Sequence, residues 1–171
     1  MRKATKKPVN GIVGGALRPN ASIAADYAKP TVDLIGLMSR DVERHLKKLF
    51  KENEFGFAMD ASISSQARIL LNWLLAKWSK RFNDIAKSST ERMIERTIRN
   101  SAVTLGLSLK DAAEDFKINT SFRNAQINDV IKASTQEAAN LIKVIPQKYL
   151  AEVQGQVMRS ITTGKGMEDL V

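Results

Sequence analysis

The chain reads as a mainly α protein, an irregular helical bundle led by an extended basic arm. Three observations predict this. Apolar residues recur at helical spacing through most of positions 31–163. Two Ser/Thr-x-x-Glu spacings and one proline stand where helices would begin (Ser88 to Glu91, Ser134 to Glu137, Pro146). Glycine and proline crowd the first 30 positions and break regular elements there (Pro8, Gly11, Gly14, Gly15, Pro19, Pro30). The division that follows is an arm over 1–30 and a helical domain over 31–171. The domain is expected to be the N-terminal part of a longer protein, because Met167 to Val171 looks like a helix turn cut short.

The arm carries Arg2, Lys3, Lys6, Lys7 and Arg18, with a small apolar patch of Ile12, Val13, Leu17, Ile23 and Tyr27. Such a segment is disordered alone and orders as a strap on a partner surface. The first helix spans about 31–52, with Thr31 as N-cap and Leu34, Met38, Val42, Leu46 and Leu49 on one stripe. His45 lies beside that stripe as a boundary residue, since no second His or any Cys joins it as a ligand. Residues 53–60 form a loop whose Phe55, Phe57 and Met59 fold back as a core lid or stand as a docking patch.

A long helix follows over about 62–87, marked by Ile63, Ala67, Leu70, Leu71, Leu74, Trp78, Phe82 and Ile85. Trp73 falls off this stripe. It belongs either to a broad buried face or to a contact with a neighbouring helix or subunit. The Ser88 box opens a third helix over about 89–105, ended by Gly106. Arg92, Arg96 and Arg99 form a basic ridge on it, partly offset by Glu91 and Glu95. Such a ridge lies on phosphate or is a solvated face laced with ion pairs. Near 107–120 either Ser108 with Asp111 caps a short helix through Phe116, or the strand-like run FKINTSF forms a short hairpin or crossing segment. Helical pattern resumes near 121, and the Ser134 box opens a helix over 134–145. Pro146 starts the last helix, 147–163, with Leu150, Val153, Val157 and Ile161 inward and Gly164 at its end.

Composition narrows the chemistry. Net charge is +9, with no Cys and one His, so disulfides, thiolate chemistry and a Cys-ligated metal are excluded. No cofactor is implied. Residues 1–100 hold 19 Lys and Arg against 10 Asp and Glu, and residues 101–171 hold 8 against 8. The whole excess therefore sits in the first 100 residues, which points to an acidic partner, nucleic acid or protein. No apolar run is long enough to span a bilayer, and the basic N-terminus lacks the apolar stretch of a signal peptide. The chain is expected to be cytosolic where it is made. There is no P-loop, nucleophile elbow or zinc-helix motif. Gly164-Lys165-Gly166 lacks the upstream glycine and the Ser/Thr after Lys that a phosphate loop needs. Nothing argues for an enzyme.

One stretch carries a more specific signal. Asn140-Leu141-Ile142-Lys143, Ile145-Pro146, Tyr149-Leu150, Val153, Val157 and the Ile161 to Gly164 turn resemble the phage head-morphogenesis family. These are minor head proteins related to the F protein of phage Mu, and a Gly166 to Leu170 segment extends the likeness. The resemblance covers about 40 residues. It implies a minor capsid protein in the virion at the portal vertex, present in the host cytoplasm during assembly. It implies contact with portal protein or major capsid protein, support for head assembly, and a part in DNA packaging or ejection. Pro146, Tyr149 and Gly164 are its structural landmarks. The alternative from charge alone is a non-specific double-stranded DNA-binding module using Arg2, Lys3, Lys6, Lys7, Arg18, Arg92, Arg96 and Arg99. No aromatic stacking platform is evident in the sequence.

Overall fold

The computed structural model describes residues 20–52, 60–110 and 125–164. These form four helices: α1 (Ala21–Glu52), α2 (Asp60–Lys110), α3 (Ala125–Lys143) and α4 (Ile145–Thr163). No strand occurs among the described residues, so the mainly α expectation holds. At about 1.5 Å per residue, the 51-residue α2 is about 75 Å long and serves as the spine.

Direction follows from the cross-helix contacts. Asn20 meets Asn100, Asp26 meets Arg96, and Asp41 meets Lys77. Numbers rise along α1 as they fall along α2, so the two are antiparallel. The Tyr27 hydroxyl donates to the Ala138 carbonyl at 3.1 Å, and the Tyr149 hydroxyl to Ser39 Oγ at 3.2 Å. The α3–α4 pair therefore runs parallel to α1. The result is an up–down–up three-helix rod in which α3 and α4 together make the third member.

Inward stripes organise all three members. Buried positions on α2 fall at Ile63, Ala67, Leu71, Leu74, Trp78, Phe82, Ala86 and Thr90, and half-buried Met93, Arg96, Asn100 and Thr104 continue the face. The steps are threes and fours, the spacing of one helix face. On α1 the same steps join Ile23, Tyr27 and Thr31 to Leu34, Met38 and Val42. On α3–α4 they run Ile131, Thr135, Ala139, then Ile142, Pro146, Leu150, then Val153, Val157, Ile161. Steps of three and four average close to the roughly 3.6 residues of a helical turn, so each stripe keeps to one side of its helix. Met38, Leu74, Phe82 and Val157 are fully enclosed at the centre.

The α3 stripe passes into α4 without losing phase. The Val144 amide still donates to Asn140 and the Lys148 amide to Val144. Pro146 is buried in the first turn of α4, where its missing N–H costs one ladder bond. Gly164 closes the helix in the left-handed region at φ 65, and its amide returns to Ile161. Gly164 thus takes the C-cap role expected of it.

Several expected boundaries are displaced. The arm was expected to reach residue 30, yet α1 begins at Ala21 and runs through Pro30. Asn20 supplies the cap, accepting from the Ser22 amide at 3.0 Å and the Ser22 hydroxyl at 2.7 Å. Pro30 removes only one backbone donor, and buried Ile23 and half-buried Tyr27 hold the preceding turns on the bundle. Thr31 is consequently a mid-helix residue and not an N-cap. The break expected at 88 is absent. Ser88 turns its hydroxyl back to the carbonyls of Asp84 and Ile85, while buried Ala86 and Thr90 carry the helix past it. Gly106 does not end the helix, which continues to Lys110. Residues 107–110 of the expected hairpin are helical, and 111–120 lie outside the described residues. Ser134 opens nothing, because α3 is continuous from Ala125.

Candidate functional site: a basic aromatic seam between α1 and α2

The most elaborate polar arrangement in the described structure lies where α1 and α2 meet near Asp41. This carboxylate is 7% exposed. Lys77 donates to it at 2.6 Å, the Trp78 indole N–H at 3.0 Å and Arg44 at 2.5 Å. Burial alone raises the Asp41 pKa. The hydrogen bond and charge of Lys77, with Trp78 and Arg44, outweigh it and hold the carboxyl below its ordinary 3.8. Asp41 is thus a saturated anion that clamps two helices.

Aromatic and cationic groups surround this clamp. Lys77 Nζ lies 5.0 Å from the Trp73 ring centre and 5.6 Å from that of Trp78. The Arg81 guanidinium lies 5.0 Å from the Trp78 ring centre. The His45 ring stands 5.4 Å from Trp73, tilted by 55°. Its Nδ1 is 2.7 Å from the Asp41 carbonyl oxygen, which can only accept, so the ring donates from Nδ1. Trp78 is enclosed, but Trp73 is 51% exposed and offers indole to solvent beside these cations.

Charge is concentrated in the same place. Residues 40–52 and 66–81 face each other in the α1–α2 register. They hold nine Lys and Arg against three Asp and Glu, a net of +6. The stretch 66–81 has four cations and no acid. Asp41 is already neutralised inside, and Glu43 is paired with Lys47. The rest of the pair, 20–39 and 82–110, holds six against five, a net of +1.

The residues singled out from sequence fall elsewhere. Arg2, Lys3, Lys6, Lys7 and Arg18 lie outside the described residues. Arg92 and Arg96 lie on the α1-facing side of upper α2. Arg96 is ion-paired with Asp26, and Arg92 lines a shallow groove with Asp26, Pro30 and Met93. Arg99 is exposed. Pro146 and Gly164 bound α4, and Tyr149 ties it to α1 through Ser39. Sequence reasoning missed the Asp41 clamp. It flagged Trp73 and His45 separately, each for sitting off or beside a stripe, but only the antiparallel register brings them together. The acid-free run 66–81 was the signal that could have located the seam.

No group of His, Cys, Asp and Glu that could hold a metal occurs among the described residues. Among them, too, no helix is long and apolar enough to cross a membrane. No family model matches the chain, and no curated protein or solved structure matches it either.

Proposed function

We propose that the chain is a structural adaptor of a tailed-phage head, docking on portal or major capsid protein at the portal vertex. It supports head assembly and DNA packaging or ejection by holding partners, with no catalytic step of its own. The observation that carries this reading is the segment 138–164. Its family-like landmarks are the ones the fold uses: Pro146 buried at a helix start, Tyr149 tying helices, Gly164 capping in a left-handed turn. A rod with its charge gathered on one stretch supports docking rather than chemistry. Copurification of the tagged chain with portal rings tests the reading. Retention through a moderate-salt wash is expected. A chain that elutes alone from assembling heads would overturn it.

A second reading, non-specific binding to double-stranded DNA, draws on the +6 of residues 40–52 and 66–81. It predicts a gel shift with duplex DNA whose log–log salt slope is about −0.9 per phosphate neutralised. A duplex that is not retarded at low salt would remove it.

A further inference from the structure

We infer that the seam around Trp73 is a stacking site for single-stranded nucleic acid. The inference shares with the second reading only the choice of nucleic acid as partner. It stands independently of the portal reading.

Three observations converge on one surface. Trp73 is a large aromatic left half open on a helix whose other Trp is enclosed. Lys77 and His45 lie against it at 5.0 and 5.4 Å, so the indole is fixed rather than free to sweep solvent. Exposed cations lie on the same stretch of both helices, with Arg44 on α1 next to His45 and Lys80 and Arg81 on α2 about two turns past Trp73. An aromatic face beside cations that track a backbone is the chemistry by which proteins hold single strands. Bases stack on the ring and phosphates meet the charges. A duplex keeps its bases stacked inside, where an indole on a helix flank has no access to their faces. The charges alone would serve a duplex or an acidic protein, and the indole selects the single strand.

The Asp41 clamp explains how the site is kept ready. By pairing the buried Asp41 carboxylate with Lys77, Trp78 and Arg44, the fold screens its charge from phosphate. It also fixes Lys77 between the two indoles.

The test uses the full chain and three probes: labelled oligothymidylate, a duplex of equal length, and polyglutamate. Anisotropy reads binding, and the difference in intrinsic emission between the parent and Trp73→Tyr separates Trp73 from the enclosed Trp78. Oligothymidylate is expected to bind and to quench emission, with Trp73→Ala about tenfold weaker and Trp73→Tyr close to the parent. Circular dichroism checks that each variant stays helical. Should Trp73→Ala lose its helices, the emission quench in the parent and the binding of Trp73→Tyr decide the matter. Equal binding by Trp73→Ala, or no quench on binding, overturns the stacking site. Polyglutamate that binds as tightly and with the same dependence on Trp73 overturns it in favour of an acidic protein. Oligothymidylate binding indifferent to Trp73, with the duplex bound equally well, leaves the second reading standing and ends this one. No binding to either nucleic acid ends both.

Discussion

The two ends of the α1–α2 pair share one helix spacing and use it differently. In the lower end, residues 40–52 against 66–81, the inward positions of α2 are Ala67, Leu71, Leu74 and Trp78, and the charge lies outside. In the upper end buried Ala86 and Thr90 give way to Met93, Arg96, Asn100 and Thr104, all half-buried. There Arg96 pairs with Asp26 and Asn20 reaches Asn100 across the interface. Near the junction, the buried hydroxyls of Thr31 and Thr90 have no hydrogen-bond partner among the described residues. The α1–α2 register puts them at one level. Above this level Ile98, Val103 and Leu107 are exposed. The contrast teaches that a continuous helix need not be uniformly held. The lower end combines apolar burial with a clamped anion and keeps Arg44, Arg68, Lys80 and Arg81 exposed. The upper end has a more polar interface, in which Arg96 is paired with Asp26.

The largest expected difference is in packing. Leu74→Ala removes a fully enclosed side chain and should cost about 2–5 kcal/mol. Ile98→Ala, at a position 46% exposed, should cost well under 1 kcal/mol, roughly the level of an ordinary surface change. Urea midpoints of the two variants measure this, and similar losses would break the contrast.

Next comes the clamp. Asp41→Ala leaves the Trp78 indole N–H and part of Lys77 without their acceptor, at a cost of about 2 kcal/mol. The same carboxylate gives a pH signature. Its folded pKa lies below the unfolded 3.8, so its contribution is fully present above that value. It fades as pH falls from 3.8 through the lower folded value. Thermal melts across this window should therefore drop less steeply for Asp41→Asn than for the parent. Parallel slopes would show that Asp41 is not the linked group.

The smallest effect belongs to the upper ion pair. Arg96 and Asp26 have side chains 39% and 58% exposed, so Arg96→Gln should shift stability by less than about 1 kcal/mol. A loss as large as that of Asp41→Ala would show that the upper end is held by charge after all.

The sequence disclosed the helices better than their ends. The apolar stripes of α1, α2 and α4 were readable because burial demands a period near 3.6 residues. The punctuation misled. Pro30, the Ser88 to Glu91 spacing and Gly106 each carry local stop or start chemistry, but burial of Tyr27, Ala86 and Thr90 overrides it. The landmarks Pro146 and Gly164 were readable because their backbone restrictions act locally. The seam was not readable. Asp41 and Lys77 are 36 positions apart, and only antiparallel packing makes them partners.

The contrast between the two ends is tested most directly by the salt dependence of oligothymidylate binding in two paired variants. Arg44→Gln with Arg81→Gln removes lower cations, and Arg92→Gln with Arg99→Gln removes upper ones. The lower pair should weaken binding and flatten the log–log salt slope by about 0.7 for each cation lost from phosphate contact, while the upper pair leaves both near the parent. The reverse outcome, with the upper pair controlling affinity and slope, would contradict the assignment of the binding surface to the lower end.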